Sequence, residues 1–325
     1  MGVKTLYRLL LQPRGATLSP WQADTLFGHL CWQVYFARGK TGLADFLAPF
    51  RAGTPPFVLS DGFPGDWLPR PILPAPSSMP GSETKKIKKA TWLTPDEFRA
   101  ILRGEYPAVS DAESPVREPQ VVLKNQINRL TGTTAGDDDD AGNLYALDEI
   151  AFYRGKEKRE GVPVSVYFWA QDSAQAAEVT DLVGSLARGG YGKKKSVGYG
   201  QFTVGDCETI EFAYPDDADA IVALASFVPR QTDPTKGYYR TRVKYGKLGE
   251  GGIVDGKAYS PFKFPLVMLT AGSTFCSNVA RDFVGRIVTG IHPQDLNGDE
   301  FVQYAFAPVV PIKMPTWVVE CSHPS

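Results

Sequence analysis

LARGGYGKKKSVGYGQF, residues 186–202, closes an amphipathic run, opens a strand-like one, and sets Gly189, Gly190, Gly192, Gly198 and Gly200 around three consecutive lysines. Glycine supplies backbone that can turn left-handed or approach a ligand closely, and lysine supplies counter-charge for an anion. A P-loop needs GxxxxGK followed by Ser or Thr; here Gly192-Lys193 is followed by Lys194, and position 187 is Ala. A dinucleotide GxGxxG fails too, with Lys195 where Gly190-x-Gly192 needs its third glycine and Thr203 where Gly198-x-Gly200 needs it. Both nucleotide motifs also run from strand to helix, whereas this loop runs from helix to strand. Two readings are left: a turn whose amides and lysines meet a nucleic-acid backbone, or a solvated lysine turn.

Working outward, SAQAAEVTDLVGSLARGG (173–190) reads as a helix with Ala177, Leu182 and Leu186 toward a sheet, and QFTVGDCETIEF (201–212) as the following strand. At the other end of the chain, residues 3–12 alternate as a strand. LSPWQADTLFGHLCWQVYFARG (18–39) then predicts a helix with Ser19 as N-cap, Pro20 at the first helical position, a core stripe of Phe27, Leu30 and Val34, and Gly39 just past its end. Between Ala48 and Gly81, prolines and glycines around PFVLS suggest loops and a small hairpin. TPDEFRAILRG (94–104) carries the Thr94–Glu97 spacing of a capping box, and residues 104–143 read as an excursion from the core. NLYALDEIAFYRG (143–155) and VPVSVYFWAQ (162–171) read as the two strands of a hairpin.

Strand, helix, two strands, helix, strand is the split βαβ, ferredoxin-like order, which RNA-recognition modules share. From about Tyr214 the runs AIVALASFVP, YYRTRVKYGKL, FKFPLVMLTAGSTF and QYAFAPVVPIKM add strand candidates with little helix between them. The expected fold class is therefore α+β, with two ferredoxin-like (RRM-like) domains: residues 1–213 with inserted loops, and a strand-rich, degenerate unit over 214–325.

Composition narrows the function classes less than the motifs do. The chain has 325 residues, 43% of them hydrophobic, and a formal net charge of −1, so an anion-binding surface must be a local patch. Cys31, Cys207, Cys276 and Cys321 form no CxxC pair, which argues against a zinc ribbon or a disulfide framework and fits a reducing cytoplasm. The N-terminus reads directly as a strand and no apolar stretch approaches a membrane span, so a soluble cytoplasmic protein is expected. GDDDD (136–140) reads as a solvated loop and DLNGDE (295–300) as a turn, because its glycine is fourth where a calcium loop needs it sixth. Neither metal nor cofactor is expected. Phe262, Phe264, Phe275 and Met268 could form a stacking platform, but alternating aromatics on a strand are usually core.

Short stretches in a fixed order point to a family: LSPWQADTLFGHLCW (18–32), LSDGFPGDWLPRPILP (59–74), KKIKKATWL (85–93), NQINRLTGTT (125–134) ahead of LYALDEIAF, KKKSVGYGQF (193–202) and YAFAPVVPIKM (304–314). Together they resemble the RAMP superfamily of CRISPR-associated proteins, and within it the family of the fourth subunit of the type III-A Csm effector. Lys124 departs from the pattern, standing where an arginine is expected before the asparagine. The resemblance implies a non-catalytic subunit that holds the repeat-derived 5′ handle of the guide RNA beside a polymerase-like large subunit and a backbone RAMP subunit. It also implies that residues 104–143 form a thumb-like projection.

On that basis the RNA-binding candidates are Lys193, Lys194, Lys195, Ser196, Gly198 and Tyr199 in the loop. A second basic cluster comprises Lys85, Lys86, Lys88 and Lys89, and Asn125, Asn128 and Arg129 could read base edges or 2′-hydroxyls. Phe63 and Trp67 are the expected apolar anchors for a protein partner. The alternative is a RAMP endoribonuclease that processes precursor guide RNA, with His29 on the first helix as general base. Its neighbours Phe27, Leu30, Cys31 and Trp32 fit a packed helix residue better.

Overall fold

The computed structural model describes residues 1–76, 85, 89–105, 116–125, 127, 144–154, 160–249, 253–254, 256–295 and 300–318. Strand β1 (Gly2–Pro13) is followed by helix α1 (Ala23–Arg51), strand β2 (Phe57–Pro64) and the short helix α2 (Pro95–Leu102). Strands β3 (Val116–Asn125) and β4 (Leu144–Arg154) come next, then β5 (Val164–Ala170), helix α3 (Ser173–Gly189) and β6 (Phe202–Tyr214). The first sheet has the order β2–β5–β1–β6 with every pairing antiparallel. Read from the other edge, this is the 4-1-3-2 order of a βαββαβ unit, so the element order expected from the sequence is present in the first half.

The strand assigned to the second place differs. The sequence put 143–155 there, paired with 162–171; in the structure β4 pairs along its length with β3 and only at its end with Glu160–Gly161, and the sheet position belongs to β2, which lay hidden in the proline-glycine stretch. A bulge between Leu59 and Gly62 breaks the alternation of β2 and removes the period-two signal from its sequence. Part of the expected excursion, 116–125, is therefore one arm of a long hairpin whose other arm is β4.

Alternation along β1 and β5 divides the first core. Leu9, Leu11, Val166 and Phe168 meet Leu26, Phe27, Leu30 and Val34 of α1 and Val179, Val183 and Leu186 of α3. Leu6 and Tyr167 point the other way, to Phe98, Ile101 and Leu102 of α2. The inward alanine of α3 is Ala176 rather than Ala177, which is exposed.

Helix α1 starts later and runs further than its sequence signals suggest. Its N-cap position is Gln22, and the first amide is instead capped from a distance by Asp61, whose carboxylate accepts from Ala23 N (2.9 Å). Gly39 takes a left-handed φ of 68° that kinks the helical path, which then resumes to Arg51. The reading of α2 holds: Thr94 Oγ1 accepts from Glu97 N (3.3 Å) and Glu97 Oε2 accepts from Thr94 N (2.8 Å). Thr94→Ala is expected to lower stability by about 1 kcal/mol, read as a shift of the urea midpoint at constant slope.

The second half supplies β7 (Ala220–Ala223), β8 (Thr241–Lys244), β9 (Leu266–Leu269), β10 (Thr274–Cys276), β11 (Phe283–Val288) and β12 (Gln303–Ile312). Its main sheet has the order β10–β7–β12–β11, extended beyond β10 by Gly237–Tyr238. No helix occurs among the described residues after Tyr214. Strand β11 was missed in the sequence because Gly285, at φ 95°, interrupts a short run. The two sheets share a core: β12 is buried along its whole length, and Leu59 N of β2 donates to the Tyr304 hydroxyl of β12 (2.8 Å). Phe275 and Met268 are buried core residues as the alternation suggested, whereas Phe262 and Phe264 are exposed. Cys31 and Cys207 are free thiols, but Cys276 is disulfide-bonded, so the cysteines are not all the reduced thiols expected.

Candidate nucleic-acid interface

The basic loop is built from its two ends inward. Helix α3 ends at Gly189, and Gly190 turns the chain with φ 81°. Tyr191 is then driven fully into the core. Its ring stacks on Trp21 at 4.2 Å, its hydroxyl donates to Pro20 O (2.6 Å), and Gln22 N donates to that hydroxyl (3.1 Å). Across the loop, Tyr191 N donates to Gly200 O (2.9 Å) and Gly200 N to Ala16 O (3.0 Å). Gly192 N donates to His29 Nε2 (2.9 Å), and Lys193 N to Ser19 Oγ (3.1 Å). Ser19, three residues ahead of the N-cap Gln22, is thus spent on the loop and not on α1.

With both feet fixed, residues 193–199 stand out from the fold. Lys193, Lys194, Ser196 and Gly198 are exposed, and Lys195 and Tyr199 are half-buried. A single 3₁₀ turn, Lys195–Val197, is framed by Lys194 at φ 55° and Gly198 at φ 96°. Lys194 is the one non-glycine residue with positive φ among the described residues, and such strain persists only where surrounding contacts hold it.

Those contacts come from the long hairpin. Lys194 Nζ lies 4.2 Å from the centroid of the Tyr145 ring, and the Tyr199 hydroxyl donates to Glu149 Oε1 (2.5 Å). The hydrogen bond to the Glu149 carboxylate pushes the Tyr199 phenol up to about 12. Tyr145 is paired across the hairpin with Lys124, and the next pair is Asn125 with Leu144. The structure therefore brings Lys193, Lys194, Tyr145, Lys124 and the exposed Asn125 to one neighbourhood. Cations interleaved with an aromatic ring suit a single-stranded nucleic acid, whose phosphates and bases they can meet in turn.

Other expected site residues are placed differently. Lys85 and Lys89 are exposed on a separate segment before Trp92; Lys86, Lys88, Asn128 and Arg129 lie outside the described residues, as does most of 104–143 and the GDDDD run. Phe63 and Trp67 are not exposed anchors: they are 1% and 6% exposed, with Phe63 packed on Trp92 and Tyr167. Prolines around them suggested a surface loop, but Phe63 sits in β2 and is core. Gly198 has open space where a side chain would go, so its role is left-handed backbone alone. The tightest glycine of the loop, and the one that meets backbone closest, is Gly200, which the sequence did not single out: an added Cβ would lie 1.9 Å from Tyr191 O.

His29 Nε2 serves as the acceptor for the Gly192 amide, which ties α1 to the loop. Asp295 accepts from Glu300 N (3.2 Å) and Phe301 N (3.1 Å). No helix among the described residues is long and apolar enough to cross a membrane.

No family model matches this chain, and no curated protein does. Solved structures match over nearly its whole length. A chain of the Csm1-Csm4 cassette in complex with pppApA aligns over 96% of this chain and 100% of its own, with a TM-score of 0.56 and 18% identity. The same cassette in complex with cA4 gives 96% and 99%, 0.55 and 18%. The Csm3-Csm4 subcomplex of the type III-A CRISPR-Cas interference complex gives 94% and 99%, 0.54 and 13%. The architecture shared with them is an α+β fold of mostly antiparallel sheets. The subunit common to the cassette and the subcomplex is Csm4, and it is the fold of Csm4 that this chain carries.

Proposed function

We propose that this chain is the non-catalytic RNA-binding subunit of a type III-A CRISPR effector, holding the 5′ handle of the guide RNA and docking the large subunit and the backbone RAMP subunit in the cytoplasm. The observation that carries this reading is the loop: exposed lysines are held on a backbone pinned at Tyr191, Gly192, Lys193 and Gly200, beside the aromatic and amide side chains of a hairpin. A solvated turn has no need of such anchoring. The likeness to Csm4, solved with Csm1 and with Csm3, supports the choice of partners. Residues 1–213 and 214–325 read as two related units, since β7–β12–β11 repeats the relative order of β1–β5–β2 and the fourth place beside β7 is filled by β10. Phe63 and Trp67 drop out as docking anchors.

The engagement of His29 Nε2 by the Gly192 amide argues for a positioning role over that of a general base. Two measurements test the reading. RNA of one defined 5′ sequence should co-purify with the assembled complex; RNA with mixed 5′ ends, or none, would count against it. Purified chain and its His29→Ala variant should both leave repeat RNA intact without divalent metal, and cleavage that disappears in His29→Ala would establish the ribonuclease instead.

A further inference from the structure

Strand β8 places Arg242 and Lys244 two residues apart, hence on one face of the ribbon that it forms with β9. That face turns toward the start of α1, and the two cations fare differently there. Lys244 Nζ is paired with Asp24 (2.8 Å) and also donates to Gln22 Oε1 (2.8 Å) and Thr25 Oγ1 (3.0 Å). Arg242 has Nε and Nη2 buried from solvent and without a hydrogen-bond partner among the described residues. The nearby carboxylate, Asp61, spends its oxygens on Ala23 N (2.9 Å), Ser226 N (3.2 Å) and Ser226 Oγ (3.1 Å). Buried charged donors left unmet are strongly unfavourable, so a guanidinium kept in this state calls for a ligand.

Arg242 lines a cavity of about 370 Å³, within the size range of small-ligand sites. Its charged lining is three guanidiniums, Arg70, Arg240 and Arg242, against the single carboxylate of Asp61. Trp21 and Trp92 contribute aromatic wall. The cavity adjoins the basic loop through Trp21, which lines it and also stacks on Tyr191.

We propose that this cavity binds the phosphate of one nucleotide through Arg242, with the indole walls available to its base. Guanidinium suits the task because its planar fork gives two parallel hydrogen bonds to a phosphate, whereas an ammonium offers only a point charge. The nucleotide can be one residue of an RNA strand or a free mononucleotide; the first source rests on the RNA-binding reading above, and the second does not.

The test uses the purified full-length chain, with inorganic phosphate, AMP and a single-stranded RNA octamer as probes, read by calorimetry and by the shift in melting temperature. AMP or the octamer should bind wild type, and Arg242→Gln should weaken that binding by about tenfold or more. Arg242→Lys should recover only part of it, since it restores charge without the fork. Without ligand, Arg242→Gln is expected to melt lower than wild type, because it removes the positive charge that faces the buried Asp61, so the loss of probe binding by the folded variant, and not the melt, carries the test. Binding of AMP identifies a free-nucleotide site, and binding of the octamer alone identifies an RNA site. The proposal is overturned if no probe binding depends on Arg242, or if Arg242→Gln merely melts lower and leaves binding unchanged. Loss of octamer binding in a Lys193→Ala, Lys194→Ala, Lys195→Ala variant but not in Arg242→Gln would sink the cavity while leaving the RNA-binding reading intact. Arg242-dependent AMP binding with no octamer binding would do the reverse.

Discussion

Gly200→Val is expected to lower the stability of the protein by about 2–5 kcal/mol, as the sum of left-handed backbone and overpacking, and to release the basic loop from the fold. Gly200 has φ 65°, a region that β-branched residues avoid. The space is also taken: its Cβ would sit 1.9 Å from Tyr191 O and 2.9 Å from Tyr191 C. Both are backbone atoms, so no side chain can swing aside, and relief requires parting the two feet of the loop. That breaks the hydrogen bond from Tyr191 N to Gly200 O and unseats a tyrosine stacked on Trp21. Gly198→Val is the control, with φ 96° but nothing near its missing side chain. It should lower stability by about 1–2 kcal/mol from backbone strain alone. Urea denaturation of both variants decides the matter, and equal losses would show that the pinning at Gly200 has been misjudged.

Replacing Lys193, Lys194 and Lys195 together by alanine is expected to weaken guide-RNA binding on the order of a hundredfold at low salt, taking about 1 kcal/mol for each contact. The loss should shrink as salt rises, and the slope of log K against log salt should fall by roughly 0.7 for each phosphate contact removed. Single variants should rank: Lys193 and Lys194 are exposed, while the half-buried Lys195 is expected to contribute least. Lys194→Ala also removes the cation from the face of Tyr145, so Tyr145→Ala should reproduce part of its effect. An unchanged affinity and an unchanged slope in the folded triple variant would reduce the loop to a solvated turn.

What the sequence reveals and what it hides divide along physical lines. The Thr94–Glu97 box was legible because donor and acceptor lie three residues apart, inside one turn. Ser19-Pro20 carried a helix-start signal of the same kind, but Ser19 Oγ is bound by Lys193 N, 174 residues away, and the capping is done by Asp61. Alternation in 144–154 correctly announced a strand yet could not say which strand it pairs with. Phe63 and Trp67 looked exposed because prolines and glycines surround them, yet Phe63 is carried into the core by the bulged β2 and Trp67 is buried just beyond its end. In the candidate site the lysines and glycines were visible, but Gly198 and Gly200 are indistinguishable until their neighbours are known. Arg242 and Lys244 share a spacing that marks one strand face; that one finds hydrogen-bond partners 219 to 222 residues away while Nε and Nη2 of the other find none among the described residues is a fact of tertiary structure.

The anchoring of the loop has a thermodynamic consequence for any strand that lands on it. Backbone that must be ordered on contact consumes part of the interaction free energy, and here that ordering is completed during folding. Tyr191 acts as a peg in the core and Gly200 as its keeper, so Lys193 and Lys194 start from fixed origins. Pre-organisation of this kind would make the loop a datum: were a strand to bind there as proposed, its register would be counted from a point set by the protein's own core, independent of how far the strand extends beyond it.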